Sequence, residues 1–146
     1  MRPSSSTGGT PVPDTAVRAR LLVLDDEPLV CELFLDVARS ALFEPCCASG
    51  ATDIASVVSD RYDAAVVDLH LGELDVLDVL ARLAQSSPGC DVVLMTGAAV
   101  SSTGVAAGWA RARGLNVVAE LQKPVRLRDL RCLLESLAAA PGAAAF

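Results

Sequence analysis

Short apolar blocks alternate with longer stretches in which apolar residues recur every three or four positions, and this alternation repeats five times. Residues 20–24, 64–68, 91–95 and 116–121 are short and rich in Val, Leu and Ala, the signature of buried strands, and 43–48, before the Ser49-Gly50 turn, reads as a further short strand. The stretches between them carry helical spacing. After Pro28, whose missing N–H is not needed in a first helical turn, Val30, Leu33, Phe34, Val37 and Ala41 form one apolar face. Thr52 or Asp53 is expected to cap a second helix that turns Ile54, Val57 and Val58 inward. Val76, Val79, Leu80 and Leu83 predict a third, stopped by Ser87-Pro88-Gly89. The 98–114 stretch is the weakest, because Gly104 and Gly108 each disfavour helix by about 1 kcal/mol relative to Ala, although Val105, Trp109 and Ala112 still predict one. Leu127, Leu130, Leu134 and Leu137 predict the last. Strands that alternate with helices pair in parallel through right-handed crossovers, so the predicted fold class is α/β, a doubly wound five-stranded sheet covered on both faces.

Composition narrows this picture. The flank 1–19, rich in Ser, Pro, Gly and Thr, reads as a disordered leader; 20–138 is one domain, and 139–146 a tail or linker start. A hydrophobic content of 52% with only 3% aromatics suits one tightly packed core of small and branched side chains. The net charge of -6 argues against a dedicated nucleic-acid binder. No apolar run is long enough to span a bilayer and no signal-peptide core is visible, so the expected location is cytoplasmic, without membrane contact. Cys31, Cys46, Cys47, Cys90 and Cys132 are odd in number and lack CxxC spacing, which predicts core thiols rather than a zinc site or a disulfide framework.

The polar residues of interest all fall at strand carboxyl ends, where doubly wound sheets bind ligands. Asp25, Asp26 and Glu27 follow the first strand, Asp68 ends the third, Thr96 the fourth, and Lys123 follows the fifth. Carboxylates gathered at one rim repel, and a hard divalent cation such as Mg²⁺ relieves the repulsion while accepting a phosphate oxygen. An Asp beside such an ion can attack a phosphoryl group, with Lys123 and the Thr96 hydroxyl available for phosphoryl oxygens. His70, the lone histidine, reads as an exposed loop side chain, Trp109 as half-buried packing, and Arg126, Arg128 and Arg131 as a solvated stripe.

The motifs Leu-Leu-Val-Leu-Asp-Asp-Glu-Pro, Val-Val-Asp-Leu-His-Leu, Leu-Met-Thr-Gly and Gln-Lys-Pro-Val occur in this order, each at a strand end. In this the chain resembles two-component response-regulator receiver domains. The resemblance implies a flavodoxin-like strand order 2-1-3-4-5 and Asp68 as phosphoacceptor. It implies Mg²⁺ held by Asp26, Asp68 and the backbone carbonyl of His70, with Asp25 acting mainly through a metal-bound water. Thr96 becomes the switch hydroxyl, Lys123 the phosphoryl partner, and Pro124 follows a cis bond. Implied partners are a sensor histidine kinase or phosphotransfer protein and an output domain or downstream protein, with a homodimer left open and no direct nucleic-acid contact. Such a domain is a switch that catalyses only its own phosphorylation and dephosphorylation.

Some positions depart from the family pattern. Gly72 stands where proline is common, Val76 where glycine is common, and Glu120 in place of the aromatic that reports phosphorylation. Residues 114–125 are similar to receivers linked to cyclic-di-GMP phosphodiesterase outputs. Two alternatives compete: a degenerate receiver that acts as a phosphate-independent scaffold, and an aspartyl-phosphate phosphatase. The phosphatase needs a second acid two residues after the nucleophile, where this chain has His70.

Overall fold

The computed structural model describes residues 18–97 and 103–139. The predicted blocks form strands β1 (Arg20–Leu24), β2 (Glu44–Ala48), β3 (Ala64–Asp68), β4 (Asp91–Thr96) and β5 (Asn116–Gln122). All pair in parallel in the order β2-β1-β3-β4-β5, the expected 2-1-3-4-5 arrangement. The side-chain period of two in each strand divides the core into two layers. Leu21, Val23, Val66, Val93 and Met95 face one way and meet Phe34, Val37 and Ala38 of α1 (Pro28–Ser40) and Leu130, Leu134 and Leu137 of α5 (Leu127–Ala139). Leu22, Leu24, Val67, Val92 and Leu94 face the other way, onto α2 (Ala51–Val57), α3 (Val76–Ser86) and α4 (Thr103–Ala112). Central β3 is buried along its whole length. The predicted leader through residue 17, the 98–102 part of the fourth helical stretch and the tail from 140 lie outside the described residues.

Tertiary packing keeps most of the predicted helix faces inward but leaves single members of them exposed. In α1, Phe34 and Val37 are buried as predicted and Cys31 and Ala38 join them, while Leu33 is 50% exposed, so the inward stripe is turned slightly away from the Leu33 side. In α5, Leu127 is likewise exposed. Helix α2 is capped by Gly50 without a side-chain bond, and Asp53 lies in its first turn, where a carboxylate favours the helix dipole. Its Val57 is only half-buried, unlike Ile54 and Val58. Helix α4 buries Ala106, Ala107 and Ala110 and leaves Val105 66% exposed, with Ala112 exposed as well. Small side chains there let the helix approach the sheet closely, which a count of large apolar residues overlooks. Trp109 is half-buried as expected and donates its indole N–H to the Leu77 carbonyl at 2.9 Å, fastening α4 to α3.

The cysteines require a correction. Cys31 of α1 and Cys47 of β2 form a disulfide, contrary to the expectation of free core thiols. Cys31 falls on the inward face of α1, and the pleat of β2 turns Cys47 toward α1 and Cys46 toward the opposite layer. Cys90 is buried and free as expected, whereas Cys132 is exposed on α5.

The shifted faces lead to a contrast in stability. Leu83→Ala, at a fully buried α3 position, should lower unfolding stability by about 2–5 kcal/mol, whereas Leu33→Ala should change it by no more than about 0.5 kcal/mol. Urea titrations of the two variants against the parent check this, and equal losses would mean that α1 packs as the sequence pattern alone predicts.

Candidate functional site

Register alone carries the polar residues to one rim. In the parallel pairing of β1 with β3, Leu24 lies beside Val67, so the next residues, Asp25 and Asp68, emerge next to one another. Asp68 in turn pairs with Met95, and Thr96 pairs with Gln122. The ladder continues past the strand ends, where the Leu69 N–H donates to the Met95 carbonyl and the Lys123 N–H to the Thr96 carbonyl, both at 2.8 Å. Lys123 thus begins at the same rim from the far edge of the sheet.

Its ammonium group occupies the centre of the site. Lys123 Nζ donates to Asp68 Oδ2 at 2.7 Å and to Asp25 Oδ2 at 2.9 Å. The second oxygen of each acid accepts a backbone N–H: Asp68 Oδ1 from His70 at 3.0 Å, and Asp25 Oδ1 from Glu27 at 2.9 Å. Asp25 is 0% and Asp68 2% exposed, and charges so deeply buried persist only when partnered in this way. Burial pulls the Lys123 amine downward, but its hydrogen bonds to Asp68 and Asp25 prevail and hold it above the ordinary lysine value. The Lys123–Pro124 peptide is cis, as the resemblance implied.

The remaining candidates surround this centre. Asp26 is partly exposed at the rim, and its Oδ2 lies 4.0 Å from His70 Nε2, on a side chain that is 82% exposed. Thr96 is buried at the end of β4, where its hydroxyl donates to the Gly97 carbonyl at 3.2 Å rather than to either acid. Glu27, passed over as a site residue in the sequence, places Oε1 3.7 Å from Lys123 Nζ. Asp25, Asp26 and Glu27 each offer a carboxylate oxygen within 4.8 Å of the others, a set of hard donors that fits Mg²⁺. The signal for Glu27 is the unbroken run of three acids after β1. A solvent-open cavity of about 540 Å³ is lined by Asp26, Glu27, Asp68, His70, Gly97 and Lys123.

Of the departures after β3, Gly72 has a backbone reason. Gly72 has φ +62°, a region L side chains rarely adopt and proline cannot, and the turn is closed by the Leu71–Leu74 bridge. Val76 opens α3 behind Asp75, whose side chain caps the Leu77 N–H. Glu120 is exposed on β5.

This arrangement of rim acids, threonine and lysine on a 2-1-3-4-5 sheet coincides with a match of residues 21–135 to the response regulator receiver domain. The chain belongs to that family. It is a receiver of two-component signalling, a family of switches rather than classical enzymes, whose members typically bind Mg²⁺ at an acidic pocket. The probable transcriptional regulatory protein TcrX of Mycobacterium tuberculosis is 35% identical over 77 residues, which span 52% of this chain and 33% of the relative. A response regulator from Colwellia psychrerythraea superposes with a TM-score of 0.70 at 24% identity, over 84% of this chain and 98% of that one. A response regulator from Burkholderia pseudomallei, with a phosphorylated aspartic acid, calcium ion and citrate, superposes with a TM-score of 0.64 at 21% identity, over 83% and 69%. Among the described residues of the receiver, no helix is long and apolar enough to cross a membrane.

The buried ion cluster sets the cost of removing its cation. Lys123→Met leaves two buried carboxylates without their ammonium and should lower stability by about 2–3 kcal/mol near pH 7, less than a wholly buried pair because Lys123 is partly solvated. Because the folded-state lysine value is raised, the contribution is complete below the ordinary value of about 10.4 and is lost as pH rises through the folded value. Urea midpoints of parent and variant should therefore differ at pH 7 to 10 and converge only in more alkaline solution.

Proposed function

We propose that Asp68 of this receiver accepts a phosphoryl group from the phosphohistidine of a sensor kinase or phosphotransfer protein, and that the altered rim changes which partner it binds. The observation that carries this reading is the Lys123 ammonium held between Asp25 and Asp68 beside an open cavity. Hydrogen bonds from His70 and Lys123 hold the Asp68 carboxylate in one orientation, so the nucleophile is aimed before the donor arrives. An Asp68 oxygen forms the new bond to phosphorus as the nitrogen–phosphorus bond of the donor breaks, and that electron pair returns to the imidazole. The carboxylate gives up its charge in becoming an acyl phosphate, which frees Lys123 to follow the negative charge onto the phosphoryl oxygens. Thr96 reaches the same group by turning its hydroxyl from the Gly97 carbonyl.

Asp26, Asp68 and the His70 carbonyl are the proposed holders of Mg²⁺, with Asp25 acting mainly through a metal-bound water; Asp26, Asp68 and His70 line the open cavity, and Glu27 offers an oxygen within 4.8 Å of those of Asp25 and Asp26. When bound, the ion supplies positive charge that offsets repulsion between the acids and the incoming phosphoryl oxygens. The phosphorylated aspartic acid and calcium ion of the Burkholderia pseudomallei structure support the same assignment.

A partner must approach Asp68 from the rim. An apolar groove of about 440 Å³, lined by Val30, Leu33, Phe34, Pro124, Val125 and Leu127, adjoins Lys123 and gives a purpose to the leucines that packing left exposed. We place this exchange in the cytoplasm, in keeping with the absence of an apolar spanning helix among the described residues.

Incubation of the purified protein with acetyl phosphate and Mg²⁺ should yield acid-labile phosphate on Asp68, seen as an intact-mass increase. Chelation of the metal should remove it, and Asp68→Asn should abolish it with the far-ultraviolet circular dichroism unchanged. Undiminished labelling of that variant refutes the assignment.

A further inference from the structure

We propose that Cys31 and Cys47 form a reversible oxidation site whose state sets how tightly the neighbouring acids bind their divalent cation. The proposal deepens the functional reading above and rests on it for the role of Asp25, Asp26 and Glu27. The disulfide ties the first turn of α1 to the end of edge strand β2, the two elements that flank the acidic loop. Cys31 accordingly touches that loop at both ends. Its backbone N–H donates to the Glu27 carbonyl at 3.2 Å, and its Sγ lies 3.7 Å from the Asp25 carbonyl oxygen. The same sulfur is 3.8 Å from the Ala48 carbonyl, which accepts the Asp25 N–H at 3.4 Å. When the bond is cut, the Cys31 thiol becomes a donor within reach of both carbonyls and competes with the Asp25 N–H for one of them. Oxidation removes that donor and adds a covalent tie, so the two states hold the backbone of Asp25 differently.

The pair has the access that such chemistry needs. Cys47 is half-buried on an edge strand, whereas Cys31 is buried behind it. Attack by the Cys47 thiolate on a hydroperoxide breaks the O–O bond, leaving a sulfenic acid on Cys47 and releasing water or an alcohol once a proton is taken up. The Cys31 thiolate then displaces hydroxide from that sulfur, which departs as water, and the S–S bond closes; two sulfur electrons have passed to the peroxide. A dithiol reverses the change by exchange and is itself oxidised to a disulfide. Cys46 cannot substitute for Cys47, because the pleat directs it into the opposite layer. In a reducing compartment a disulfide of this kind is transient, which suits a sensor better than a permanent staple.

The test uses the full chain carrying Cys132→Ser, which removes an exposed thiol able to join two chains. Samples treated with hydrogen peroxide or with dithiothreitol are alkylated and peptide-mapped, titrated with Mg²⁺ while the amide resonances of residues 25–27 are followed, and labelled with acetyl phosphate. The oxidised sample should contain the linked Cys31–Cys47 peptide and reach its Mg²⁺ midpoint at about tenfold lower concentration, the scale on which groups behind metal ligands act. Cys47→Ser in the same background should keep the reduced midpoint under both treatments. Absence of the linked peptide overturns the proposal, as do equal midpoints in the two states. Equal midpoints with normal Asp68 labelling reject the oxidation site and keep the phosphoacceptor; a shifted midpoint without labelling in either state does the reverse. No Mg²⁺ response in either state rejects both.

Discussion

A single ammonium group holds the functional rim of this receiver together. Lys123 starts from the last strand of the sheet, at one edge, and reaches across to acids that follow β1 and end β3. Both acids are buried, and each has one oxygen satisfied by a backbone N–H and the other by the lysine. Without that shared cation the two carboxylates would face one another in a region of low dielectric, where repulsion is poorly screened. The same charge that makes the rim stable in the folded protein is the charge that an incoming phosphoryl group would recruit. Structural and chemical demands therefore fall on the same bonds.

The layered core beneath explains why the rim can be so polar. Strand side chains alternate between two apolar layers, and β3 has no solvent-facing residue. The central strands of a parallel sheet covered on both faces are open to a ligand at their ends, and there Asp25, Asp26 and Glu27 follow β1 while Asp68 ends β3. The rigid part sets the register and brings Asp68 and Thr96 to the rim, and the loops add Asp25, Asp26, Glu27 and Lys123. The Cys31–Cys47 bond belongs to the boundary between the two, since it joins a core helix to an edge strand immediately behind the acidic loop.

Much of this could be read from the residues in order. Five apolar blocks with helical stretches between them imply parallel crossovers, and the acids, Thr96 and Lys123 follow apolar blocks at the ends where such sheets bind ligands. The helix faces were harder. Leu33, Val105 and Leu127 have the spacing and size of core residues yet lie exposed, while alanines at 38, 106 and 110 are buried. A helix can rotate by part of a turn and keep its periodicity, and close packing against a sheet rewards small side chains as readily as large ones.

The sequence by itself determined the order of strands and helices, the rim to which Asp25, Asp26, Asp68, Thr96 and Lys123 belong, and the family resemblance those residues carry, because each depends on periodicity and on neighbours along the chain. Only the tertiary structure decided that Lys123 bridges Asp25 and Asp68, that Glu27 joins the acidic cluster, and that Cys31 is bonded to Cys47 rather than left free. Those outcomes turn on side-chain direction, on the phase of a pleat and on the rotation of a helix, all set by packing between segments far apart in the chain.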